Sequence, residues 1–155
     1  MATNIEVSRT FDAPVEAVWA LWTDPELIKG WWGPDRFTCP LVRLDLREGG
    51  VSLVSMKAAA GIGGQEFFSS WRYVRIVRLQ RIEFIQNLCD PLGNRIDPVA
   101  VGMPPDFPVD IRTVVTFTDA GGGRTQMVVV EQAEFGSMSH FAQLGLEQSV
   151  RKMTI

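Results

Sequence analysis

Between Phe37 and Ala133 the chain carries six consecutive segments patterned as β-strands, with no helical stretch among them, and a single amphipathic helix follows only after the last. A sheet apolar on one face has to bury that face, and helices segregated from a continuous antiparallel run define an α+β architecture. With one long helix to cover six or seven strands, the sheet must curl. The order therefore predicts a curved antiparallel sheet of six to seven strands gripping the C-terminal helix, one domain over residues 1–155. It also predicts a wedge between sheet and helix that side chains fill incompletely, which is where a small molecule would sit.

The local signals support each segment. Ile5, Val7 and Phe11 alternate as in a half-buried strand, with Arg9 on the same apolar phase. Asp12 is an N-cap candidate before Pro14, and Val15, Val18, Trp19 and Trp22 follow at helical spacing; Asp24-Pro25 repeats the start signal and Gly33-Pro34 ends the stretch. Two short helices are thus expected after strand one. Phe37 to Leu46 reads as a strand with a phase change at Pro40, where an edge or bulge tolerates proline. Strands are expected at Val51–Ala58, Gln65–Ile76, Arg81–Cys89, Ile111–Asp119 and Arg124–Ala133, with glycine-bearing turns at 61–64 and 120–123. Residues 90–108 hold five of the nine prolines and form a long irregular connection of the kind found at pocket mouths. Ser137 is expected to cap the final helix, whose Met138, Phe141, Ala142, Leu146, Val150 and Met153 share a face.

Composition excludes several classes. A net charge of −3 without a Lys/Arg cluster offers no footprint for a nucleic-acid backbone. No stretch approaches the length of a membrane span and no leader-like segment opens the chain, so a cytoplasmic location is expected. Cys39 and Cys89 are far apart in sequence and form no metal-binding or disulfide pattern, so they read as core residues; no metal and no cofactor is expected.

At SRTFDAPVEAVWALWTDPELIKGWWGP the chain resembles the START-like (SRPBCC) superfamily of helix-grip proteins, in the branch of the activator of the 90-kDa heat-shock-protein ATPase. The resemblance continues through DLREGG, RIEF, DPLGN, GMPPDFP and VTFTDAGGGRTQM, nearly the whole chain. It implies a helix-grip fold and a small-molecule cavity. Relatives usually place glycine two residues before the strand tyrosine, where this chain has Trp71 before Tyr73. An inward indole would narrow the cavity or offer a stacking surface. Relatives also carry Pro-Pro where this chain has Arg78-Leu79, and Gly-Trp late in the last helix where it has Ser149-Val150, which would leave one mouth more open.

Strand alternation combined with the family phase gives an inward set of Val7, Arg9, Val54, Met56, Phe67, Trp71, Tyr73, Phe84, Val115, Phe117, Met127 and Val129, joined by Phe141 and Leu144 or Gly145 from the helix. Of these, Arg9, Val54, Met56, Phe67, Trp71, Tyr73, Phe84, Val115, Phe117, Met127, Phe141 and Leu144 are the candidate ligand-binding residues. Arg9 and Glu131 are polar residues on apolar phases and are expected either to pair or, for Arg9, to meet a ligand carboxylate or phenolate. Tyr73, Asp45, Glu48 and Glu66 are acid–base candidates without diagnostic spacing, and His140 reads as a surface residue.

The expected function is binding of a small hydrophobic, planar or aromatic molecule between sheet and helix. Two other classes stay open: a polyketide cyclase or aromatase-like enzyme, and a co-chaperone-like interaction module. The latter role uses in relatives an additional N-terminal domain that these 155 residues do not include, so a heat-shock-protein partner is not expected. Homodimerisation is left open.

Overall fold

A computed structural model describes residues 4–155. Strand β1 (Ile5–Phe11) leads into helices α1 (Val15–Thr23) and α2 (Pro25–Ile28). Two-residue strands β2 (Phe37–Thr38) and β3 (Val42–Arg43) precede the long strands β4 (Val51–Ala58), β5 (Glu66–Val77), β6 (Arg81–Cys89), β7 (Ile111–Gly121) and β8 (Arg124–Gln132). Helix α3 (Ser139–Lys152) follows, about 21 Å long at 1.5 Å per residue. The sheet order is β1-β8-β7-β6-β5-β4-β2, with β3 also on β4, and every pairing is antiparallel. This is the expected curled sheet around a C-terminal helix, in an α+β fold.

Register fixes which residues share the concave face. Tyr73, Phe84, Thr113, Glu131 and Ile5 lie opposite one another across five strands, and Trp71, Gln86 and Ile111 form the next row. Along β8 the same face carries Thr125, Met127, Val129 and Glu131, so its two ends meet different elements. At the Met127 end α1 plugs the half-barrel: Trp22 Nε1 donates to Met127 Sδ at 3.2 Å, and Trp19 meets Phe117 edge-on at 5.3 Å. The Glu131 end is left to α3 and the loops.

Three local expectations change. The strand read from Phe37 to Leu46 is broken into β2 and β3, because Pro40 has no N–H to give the ladder; Leu41 O instead accepts from Ser55 N at 3.0 Å. Asp12 does not cap α1, whose N-cap is Pro14, whereas Asp24 does cap α2, accepting from Glu26 N at 3.0 Å. Ser137 stands not at the N-cap of α3 but in a short turn before it. Cys39 and Cys89 are buried free thiols, and burial pushes each up to about 11, so neither is ionised at neutral pH. No helix among the described residues is long and apolar enough to cross a membrane.

Candidate functional site

The face of α3 that looks at the sheet carries Ala142, Gly145 and Ser149, three small residues at spacings of three and four. Opposite them the sheet presents Met56, Phe67, Gln86, Ile111 and Glu131, and no side chain bridges the gap. A cavity of about 420 Å³ results, within the range of sites that hold small organic molecules. Gly145 shows how open the helix side is: a Cβ built there meets only Pro34 Cβ, at 3.8 Å.

The chain from Trp32 to Phe37 forms a third wall. Gly33 turns there with φ +111°, and a Cβ on it would stand 3.1 Å from Phe37 Cβ and 3.3 Å from Met56 Cβ, so glycine is what lets this segment close against β4. Met103 and Phe107, from the proline-rich connection, form the fourth wall with Phe135 and Met138. Phe141 and Leu144 stand at the rim, 62% and 40% exposed.

The fourth wall is clasped to the helix by Asp106. Its carboxylate accepts from Ser137 N at 2.7 Å and from Ser137 Oγ at 2.8 Å, and a Cβ at Gly136 would collide with it. These bonds hold the Asp106 carboxyl below its usual range. A depressed acid gives a clasp that is complete above the unfolded carboxyl value, about 4, and lost as pH falls through the folded one. The Ser137 amide is therefore expected to be protected from hydrogen exchange at neutral pH and to lose that protection on acidification. Asp106→Ala should remove it at every pH, and unchanged protection in that variant would show that Asp106 is not the clasp.

Inside, the polar inventory is short. Glu131 projects from β8 with no hydrogen-bond or ion-pair partner among the described residues, and burial alone pushes its carboxyl up to about 7. Gln86 and Trp32 line the cavity, but Gln86 Oε1 and Trp32 Nε1 are closed off from it and without a partner, as is Thr113 Oγ1, which faces Glu131 in the register. Buried polar atoms are almost always satisfied, so these three are unmet bonds within the wall, and Glu131 is the unpartnered acid on the cavity side. The other charged residue on the wall, Asp35, is already paired with Arg151 at 2.9 Å.

Of the candidate residues, Met56, Phe67, Phe141 and Leu144 line the cavity, as does Gly145. Val54, Trp71, Tyr73, Phe84, Val115, Phe117 and Met127 face inward but are packed into the core. Trp71 lies in the core behind the wall rather than lining the cavity: it stacks on Phe84 at 4.7 Å, and Trp32 stands edge-on to it at 5.0 Å. Tyr73 hydrogen-bonds Ser52 Oγ at 2.8 Å and burial pushes its hydroxyl up to about 12, so it is no proton donor to the cavity. Asp45, Glu48 and Glu66 are not on the wall, and His140 is exposed.

Arg9 and Glu131 do not pair. Arg9 lies opposite Met127 and Glu131 opposite Ile5, four residues apart along the strands, and Arg9 Nη1 donates instead to Val150 O and Met153 O, each at 2.8 Å. The sequence reading missed Trp32, Gln86, Phe107 and Phe135 as wall residues. The signal that could have found the site is the Ala142/Gly145/Ser149 spacing on a helix otherwise apolar on that side.

Comparison with known proteins agrees with this geometry. Residues 12–155 match the family model described as Activator of Hsp90 ATPase homolog 1-like protein. Among solved structures, a Chromobacterium violaceum protein superimposes with a TM-score of 0.78 at 24% identity, covering 97% of this chain and 93% of its own. A Mycobacterium smegmatis protein gives 0.74 at 21%, covering 97% and 85%. The protein named AHSA1 from Silicibacter pomeroyi gives 0.73 at 20%, covering 97% and 94%. At these identities the likeness is one of fold. No functionally curated protein matches the chain.

Proposed function

The chain belongs to the family of the Activator of Hsp90 ATPase homolog 1-like protein, and from that premise we propose that it binds one small, largely apolar and planar molecule between the sheet and α3. The observation that carries the reading is the small-residue face of α3, which leaves about 420 Å³ unfilled against a sheet otherwise packed with large side chains. Phe37, Phe67, Phe107, Phe135 and Trp32 give that space aromatic walls. At about 0.5 kcal/mol per heavy atom, a ligand of roughly 15 heavy atoms reaches the micromolar range.

A second reading, an enzyme of the polyketide-cyclase kind, draws on one observation, the cavity carboxyl of Glu131. A group that exchanges its proton near neutrality suits general acid–base work. A second catalytic partner is missing from the wall among the described residues, so binding is the reading favoured.

The test is a tryptophan-fluorescence titration with planar aromatics, polyketide-like compounds and fatty acids, repeated on Gly145→Leu. Trp32 should report ligand as saturable quenching. The leucine side chain should occupy the cavity and weaken binding at least tenfold, while the loss of a helical glycine, worth about 0.5–1 kcal/mol, leaves the fold as stable or more so. Equal affinity in the variant would place the ligand elsewhere, and no saturable response from any class would remove the reading.

A further inference from the structure

We propose that Glu131 is the polar anchor of the cavity, and that the molecule it selects carries a protonated amine on an apolar or aromatic body. This rests on the cavity-binding reading above. Glu131 is half-buried on the cavity wall; a carboxyl in apolar surroundings is ordinarily paired with a cation, and no arginine, lysine or histidine lines this wall. The groups packed around Glu131 supply no charge: Ile5 and Thr113 face it across the neighbouring strands, and Ala142, Gly145 and Ser149 are on the helix opposite. Asp35 farther along the wall is already neutralised by Arg151.

A ligand must therefore complete the pair. An ionised carboxylate only accepts hydrogen bonds, as an ammonium group requires. Around the anchor the walls are aromatic faces and the thioethers of Met56, Met103 and Met138. Aromatic faces attract a desolvated cation, and the apolar remainder takes the ligand body. A ligand carboxylate would meet the opposite situation, an acceptor of like charge.

Three matched probes test this: phenylbutylamine, phenylbutanol and phenylbutyrate, titrated calorimetrically at neutral pH in two buffers of different ionisation enthalpy. The expected order is amine, then alcohol, then carboxylate, with the amine at least tenfold tighter than the alcohol. An ammonium beside Glu131 favours its ionised form, so amine binding should release protons to the buffer, and the alcohol should not. Glu131→Gln keeps the shape and removes the charge; it should abolish both the amine preference and the proton release. Binding of the probes without amine preference, or a preference that survives Glu131→Gln, would overturn the amine inference and leave the cavity reading standing. Failure of all three probes to bind would overturn both. Thermal unfolding of the variant distinguishes lost recognition from lost structure, and a stability at or above that of the wild type is expected, because the raised carboxyl costs stability at neutral pH.

Discussion

Replacing Trp71 with alanine is expected to cost about 3–5 kcal/mol of folding stability, the range for deleting a buried aromatic side chain. Trp71 is 1% exposed and sits at the centre of an aromatic cluster. Its ring stacks on Phe84 at 4.7 Å and an interplanar angle of 22°, meets Trp32 edge-on at 5.0 Å, and lies 6.0 Å from Trp22. Deletion removes these contacts and leaves a void that the strands cannot collapse into, since β5 is held by β4 and β6 on both sides. One term opposes the loss: the indole Nε1 is buried without a partner, and removing it relieves a desolvation cost of about 1–3 kcal/mol. The lower half of the range is therefore the expectation. Urea denaturation would measure it, with Trp71→Phe, which keeps the stack, losing about half as much. The same variant should also bind longer ligands than the wild type, because the new space lies directly behind Trp32 on the cavity wall. A loss below 1 kcal/mol would contradict the placement of Trp71 at the centre of the aromatic core.

Much of this architecture was legible because alternation and glycine or proline punctuation are local properties. β1, β4, β6, β7 and β8 fall where the alternation put them, within a residue or two. Alternation reports the face of a sheet, however, and says nothing of depth along it. Phe117, Met127 and Glu131 are on one concave face, but α1 covers the first two, and only Glu131 reaches the cavity. Which end a helix plugs depends on long-range packing of Trp19 and Trp22, and no short window contains that information. The break between β2 and β3 was half visible, since Pro40 marked it but gave no means of telling a bulge from an interruption. The partner of Arg9 was illegible for a related reason. Phase placed it inward, yet four residues of register, about 13 Å along a strand, separate it from Glu131, and its guanidinium meets the α3 carbonyls instead.

Arg9→Met should destabilise the protein by about 2–3 kcal/mol and loosen the last turn of α3. The final carbonyls of a helix have no partner within it and carry the negative end of its dipole. Here Val150 O already accepts from Met153 N at 3.1 Å, and Arg9 Nη1 adds a second donor to it and one to Met153 O, at 2.8 Å each, while the guanidinium lies over the Phe11 ring at 4.2 Å from its centroid. Hydrogen bonds from a charged donor are worth about 1.5–3 kcal/mol each, and partial solvent access lets water replace some of that value. Methionine keeps the apolar stem against the sheet, so the variant isolates the capping bonds from packing. Hydrogen exchange should accelerate at Val150 to Met153 before it does in β7 or β8. Arg9→Lys should recover part of the stability, because a single ammonium can donate to one or two carbonyls but lacks the planar group lying over Phe11. The consequence reaches the cavity, because the C-terminal anchor and the Asp106 clasp fix opposite ends of the helix whose small residues form its roof. Ligand affinity in Arg9→Met is thus expected to fall although Arg9 touches no ligand. Undiminished affinity alongside lost stability would show that the roof is positioned by its middle, through Leu146, and that the C-terminal carbonyls only stiffen its end.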